Sequence, residues 1–180
     1  MSKPTAFDPG ALFDAHAKAE FVDKDLAATM ATMVDEPDLL HVPTLAGGHG
    51  RREVADFYGR YFIGHWPADT ALQPVSRTVG PVRDGKQLMV DELVVSFTHD
   101  CVMPTLLPGV APTGRKVRLA HVLVCGFEDE KLAFERIYWD QASLLVQVGL
   151  LDPVSLPVAG AEQAERLLDP TKPSNEMLRR

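Results

Sequence analysis

The chain has 180 residues, 46% of them hydrophobic and 24% charged, with a net charge of −7. That is enough apolar side chain for one domain with a sizeable core, and the balance is not that of a disordered chain. An acidic total without any lysine–arginine cluster interleaved with aromatics argues against nucleic acid as a partner.

Two further exclusions concern location. No apolar run is long enough to span a bilayer, so no membrane partner is expected. The stretch Met1 to Gly10 lacks the charged-then-apolar order of a secretory signal. Cys101 and Cys125 are far apart and in no metal-ligand spacing. A cytoplasmic protein with two reduced thiols is expected.

Asp8-Pro9 supplies a helix cap and a proline at the first helical position. From Ala11 to Val34 apolar residues recur at helical spacing, through Leu12, Phe13, Ala17, Phe21, Leu26, Met30 and Met33. Asp23-Lys24-Asp25 breaks this run, and Glu36-Pro37-Asp38 is expected to end it. Leu39 to Val42 reads as a short strand and Ala46 to Gly50 as a loop. Arg51 to Phe62 reads as a helix with Val54, Phe57, Tyr58 and Phe62 on one side.

The period then changes. Leu72–Val82, Gln87–His99, Arg115–Phe127 and Leu132–Asp140 are rich in β-branched and aromatic residues and read as strands. Asp84-Gly85 between two apolar runs is a hairpin signal. Pro104 to Gly114, with three prolines and two glycines, is expected as a long ordered loop or crossover. Helices followed by a run of strands give the α+β class. One domain is expected over residues 1–152. Residues 153–180, interrupted by prolines, are expected as a separable tail with one short helix from Gly160 to Leu168.

Three local patterns occur in a familiar order. They are Gly48-His-Gly-Arg-Arg-Glu-Val-Ala-Asp-Phe-Tyr58, then Pro112-Thr-Gly-Arg-Lys-Val117, then Ile137-Tyr-Trp-Asp140 followed by Leu144, Leu145, Gln147, Val148 and Gly149. With the element order, they resemble the NTF2-like superfamily, nearest the SnoaL-like polyketide cyclases and related to ketosteroid isomerase and limonene epoxide hydrolase. The resemblance implies a cone-shaped curved sheet, antiparallel or mixed, wrapped around the N-terminal helices and an internal pocket. It also implies a homodimer through the outer sheet face.

Strand alternation groups side chains by face, and the resemblance says which face is inside. It puts His41, Glu92, Val94, Leu119, His121, Glu135, Ile137 and Trp139 in the pocket. It also places the catalytic aspartate of the cyclases and the hydrolase at Ile137, which neither accepts a proton nor orients a water. The hydrolase's arginine and its partner aspartate fall on Glu92 and Val94. Epoxide hydrolysis is therefore not implied.

The remaining polar candidates suit proton transfer beside a carbonyl, with His121 and one of Glu92 or Glu135 as acid and base. Each also has a plain reading as a buried or surface residue. The expected ligand is small and apolar, lined by His41, Tyr58, Phe62, Trp66, Val94, Leu119, Ile137 and Trp139. His49 reads as a loop histidine, His99-Asp100 as neighbours facing opposite sides, and Asp140 as the residue holding the last turn.

His41, His121 and Glu135 have no H-x-H or H-x-x-E spacing to support a metal. No glycine-rich phosphate motif is present, so no cofactor is expected. Three readings remain: a cofactor-free cyclase or isomerase, a non-catalytic binding protein on the same scaffold, and an interaction module using the outer sheet face.

Overall fold

The computed structural model describes residues 7–179. Residues 1–6, part of the stretch inspected for a secretory signal, lie outside the described residues, as does Arg180.

The first helix, α1 (Pro9–Lys18), begins where Asp8 accepts a hydrogen bond from the Ala11 N–H at 3.1 Å. It runs on into one π-helical turn, Ala19–Asp23, which ends at Lys24 in the left-handed conformation (φ 53°). Asp25 then caps a second helix, α2 (Leu26–Ala31), through the Ala28 N–H at 3.0 Å. The expected break at 23–25 is thus one left-handed residue followed by a new helix cap.

The strand that follows starts earlier than its proline suggested. β1 spans Met33–His41, Pro37 included. Its register on the neighbouring strand shifts between Met33 and Asp38, and an irregularity is where a residue without an N–H fits in a sheet. Ala46–His49, expected as a loop, is a short strand, β2, antiparallel to β1. Gly47 (φ 145°) makes this pairing possible, because a Cβ there would lie 2.0 Å from the Leu39 carbonyl oxygen. The third helix, α3 (Gly50–Phe57), also ends in a π-helical turn, Tyr58–Phe62.

Four strands complete the sheet: β3 (Ala71–Val79), β4 (Lys86–Thr98), β5 (Lys116–Glu128) and β6 (Lys131–Trp139). The order is β2-β1-β6-β5-β4-β3, antiparallel throughout except that β1 and β6 run parallel. At the β3–β4 turn, Arg83 and Lys86 exchange bonds of 2.8 and 2.9 Å around Asp84 (φ 52°) and Gly85 (φ 74°). That is the two-residue turn whose twist matches its strands.

The curved, unclosed sheet packs one face against α1, α2 and α3. The core lies between them, with Phe13, Met33, Val54, Phe57, Met89, Leu119, Phe127 and Leu132 all at most 6% exposed. The segment between β4 and β5 is an ordered cover rather than a crossover, with Met103, Leu106 and Leu107 buried. It is pinned by Thr105 Oγ1 donating to the Tyr61 carbonyl (3.0 Å) and Gln141 Nε2 donating to the Leu106 carbonyl (3.1 Å).

Asp140 caps the next helix, α4 (Gln141–Gln147), by accepting from the Ala142 and Ser143 N–H groups. Beyond residue 152 one further α-helix forms, α5 (Glu162–Leu168), which packs on β5, and a short 3-10 turn follows at Met177–Arg179. Ala164 is fully buried, Ser143 Oγ donates to the Gly160 carbonyl at 2.7 Å, and Gln163 donates to Asp140 at 2.6 Å. This segment is docked by a buried side chain and directed hydrogen bonds, features that prolines in the sequence do not disclose. Among the described residues no helix is long and apolar enough to cross a membrane.

Candidate active site

The inner sheet face is fixed by pairing. Residues opposite each other on neighbouring strands share a face. On β5, Leu119 and His121 point inward, opposite Val95 and Leu93 of β4. On β6, Glu135 and Ile137 lie beside Leu39 and His41 of the parallel β1.

This overturns one expected frame. Glu92 pairs with Val122 and Val94 with Ala120, so both lie on the outer face, and Leu93 and Val95 line the cavity instead. Glu92 meets the Ser76 hydroxyl at 3.3 Å near the surface, and Val94 is buried outside the pocket. A displacement of one residue along a strand exchanges its two faces.

The cavity between helices and sheet has about 70 Å³ of free space. His41, Tyr58, Phe62, Trp66, His121, Glu135 and Ile137 line it, joined by Phe13, Ala17, Glu20, Phe21, Leu39, Leu72, Leu106 and Leu123. Leu119 shares the inner face. Trp139 stands behind the two histidines, with its ring 5.9 Å from His41 and 5.5 Å from His121. Volumes of ~300–1,000 Å³ are usual for drug-sized ligands, so the space as it stands admits a small group rather than a fused-ring compound.

One wall holds a buried polar cluster that sequence reasoning missed. His16 of α1 is fully buried, and its Nε2 lies 2.9 Å from Glu20 Oε1 and 3.4 Å from Glu135 Oε2. Tyr58 OH donates to Glu135 Oε2 at 3.1 Å and sits 3.1 Å from His16 Nε2. On the far side of the ring, Nδ1 is 2.6 Å from Thr32 Oγ1, whose own proton goes to the Thr29 carbonyl, also at 2.6 Å.

That last pair settles the protonation. A hydroxyl has one proton, and Thr32 gives it to a carbonyl, so Nδ1 must be the donor to Thr32. Nε2 faces carboxylate oxygens and donates as well, which makes His16 an imidazolium. Burial alone would lower its pKa, but the charge of Glu20 and the hydrogen bonds of both glutamates hold it well above 6.5.

The two glutamates separate in consequence. Burial raises Glu20 above the ordinary carboxylate value, and His16 offsets this only in part. Burial also acts upward on Glu135, but the His16 hydrogen bond and charge bring it below the ordinary value. Tyr58 is held well above 10 by burial and by the charge of both glutamates. One imidazolium thus faces two carboxyl groups, holding Glu135 ionised while burial pushes Glu20 towards its protonated form.

Further along the inner sheet face stand two neutral imidazoles. Burial lowers both His41 and His121 to about 4. His121 Nδ1 faces the Leu119 carbonyl at 3.2 Å, which accepts only, so its Nε2 carries the lone pair. His41 Nδ1 is buried and has no hydrogen-bond partner. His121 and Glu135 line the same cavity, and among the described residues no hydrogen bond joins them.

His16, Glu20 and Glu135 are also the group among the described residues whose donor atoms converge within 4.8 Å, as metal ligands would. A divalent cation would have to take the place of the Nε2 proton that now joins them.

Both π-helical turns fall at this site, since one holds Glu20 and the other Tyr58 and Phe62. Such turns inside helices occur often at functional sites. The i, i+4 spacing of His16 and Glu20 inside an apolar stripe was a visible signal for the pair.

By sequence the chain matches no family model and no curated protein. By structure it is similar to IdmH, described as a putative polyketide cyclase from Streptomyces antibioticus, with a TM-score of 0.57 and 19% identity over 79% of this chain and 99% of that one. It is similar to TsrD from Streptomyces laurentii at a TM-score of 0.56 and 17% identity, over 83% and 100% of the two chains. A third is a Catenulispora acidiphila protein with a ketosteroid isomerase-like fold, solved in complex with trimethylamine. Its TM-score is 0.56 at 14% identity, over 80% and 96%. At these identities the likeness carries the fold alone. The chain has the NTF2-like fold, a scaffold shared with proteins described as NTF2-like, as ketosteroid isomerase-like in fold and as putative polyketide cyclases.

Proposed function

We propose that this protein binds a small, mostly apolar compound in its pocket and moves a proton on it without a cofactor, as a cyclase or isomerase does. The observation that supports this is the Glu20–His16–Glu135 cluster, in which two carboxyl groups share one imidazolium beside an otherwise apolar cavity. Paired acids whose environments drive their pKa values apart are the usual basis for assigning acid and base. Glu20 is the exchanging group, since its raised pKa brings it nearer to neutrality. His16 and Tyr58 are positioning residues that hold Glu135 ionised. His121 Nε2 receives a hydrogen bond from a hydroxyl of the ligand or intermediate.

The reaction class is exchange of a C–H beside a carbonyl. Incubating the protein with a panel of small ketones in D2O and following deuterium uptake by NMR tests it. Uptake should fall roughly 10²–10⁴-fold in Glu20→Gln. Uptake indifferent to that substitution contradicts the assignment. A second reading, a non-catalytic binding protein, is favoured by Ile137, which lines the pocket where the resembled cyclases carry their aspartate. Tight ligand binding with no exchange on any bound carbonyl compound would support it.

A further inference from the structure

The polar atoms of the pocket are almost all of one kind. The lining offers the carboxyl oxygens of Glu20 and Glu135 and the lone-pair Nε2 of His121, and the Tyr58 hydroxyl proton is already given to Glu135. No lysine or arginine lines it. The nearest positive charge, on His16, is already engaged by the two glutamates. An anionic ligand would therefore find acceptors and no donor cation.

The apolar part has its own bias. Phe21, Phe62 and Trp66 meet edge-on at 5.1–5.5 Å between centroids, forming an aromatic corner beside Tyr58. Aromatic rings present negative faces and attract a cation within about 6 Å of their centres, more strongly where water is excluded. Carboxylates in excess of the local cation, an aromatic corner and a small cavity occur together here.

We infer that the compound handled at this site carries a small organic cation, an alkylammonium or protonated amine, seated in the Phe21–Phe62–Trp66 corner with Glu20 as its counter-ion. This rests on the pocket being a ligand site, as proposed above, and names the chemical class of the ligand. The cation supplies the charge the two glutamates lack. In a proton-transfer reaction it would stabilise the negative charge that develops on the neighbouring carbon or oxygen. The free space of about 70 Å³ suits a head group, with the remainder of the molecule leaving past half-buried Trp66 and exposed Leu72.

Isothermal titration of the full chain with choline and with 3,3-dimethylbutan-1-ol separates charge from shape, because the alcohol places carbon where choline has charged nitrogen. Choline should bind at least about tenfold more tightly. Glu20→Gln should bring the preference towards unity. Phe62→Leu leaves the carboxylates in place and should weaken choline more than the alcohol, so the inference does not depend on one variant folding. Equal binding of both probes, or tighter binding of the alcohol, overturns the cation and leaves proton transfer standing. Binding of neither also overturns it, and deuterium uptake from neutral ketones then decides the other reading independently.

Discussion

Lowering the pH from 7 towards 4.5 should destabilise the fold through His41 and His121. Burial lowers both from 6.5 to about 4, so between those values the unfolded chain holds protons that the folded chain does not. Stability then falls as pH falls, by up to about 1.4 kcal/mol per pH unit for each histidine. The whole interval amounts to roughly 3 kcal/mol per residue. His99, also lowered by burial, acts in the same direction. His16 and Glu20 act the other way, because the folded chain holds their protons above the pH at which the unfolded chain does; their contributions grow as pH falls, that of His16 levelling off below about pH 6. Glu135, lowered below its ordinary value, loses its contribution only at more acid pH. Urea unfolding followed by circular dichroism at several pH values from 7 to 4.5 measures the slope. His121→Leu should remove about one histidine's share. Because His16 and Glu20 oppose the wild-type slope, the difference between the two proteins is the test, and an unchanged slope in His121→Leu would refute the reasoning.

His16→Gln leaves two buried carboxyl groups without a cation, and should cost roughly 3–5 kcal/mol at neutral pH. A loss below about 1 kcal/mol in urea unfolding would contradict the imidazolium. Truncation after Pro153 removes the buried Ala164 and the Gly160 and Gln163 bonds, and should lower the thermal midpoint; an unchanged midpoint would mean that α5 rests on the sheet without stabilising it. The outer sheet face exposes Leu88, Val90, Val122 and Tyr138 at 36–52%, and we propose that a second copy covers it. Light scattering at micromolar concentration should give a dimer, and a monomer would contradict this.

The strands and their turns were legible because alternation, β-branched residues and Asp84-Gly85 are local signals. The π-helical turns were not, since nothing in the composition of 19–23 or 58–62 marks a widened turn. Pro37 misled through its usual role as a terminator. Within β1 it is tolerated where the register shifts. The frame of β4 came from resemblance rather than from pairing, and a one-residue displacement moved Glu92 and Val94 from the outer face to the pocket. His16 and Glu20 were overlooked because α1 was read for its apolar stripe alone. Two polar residues four apart inside that stripe, both buried, can meet only if they satisfy each other or a third group. That third group, Glu135, is 115 residues beyond Glu20 in the chain, and only the packing of α1 on β6 brings it near.

The account rests on how protons are distributed within the buried cluster. Nuclear magnetic resonance of protein labelled at the His16 imidazole nitrogens and the glutamate carboxyl carbons reads this directly at neutral pH. The account predicts a His16 ring protonated on both nitrogens, an ionised Glu135, and a Glu20 carboxyl that titrates above the ordinary carboxylate range. A neutral His16 ring, or Glu20 and Glu135 titrating together as ordinary carboxylates, would contradict it.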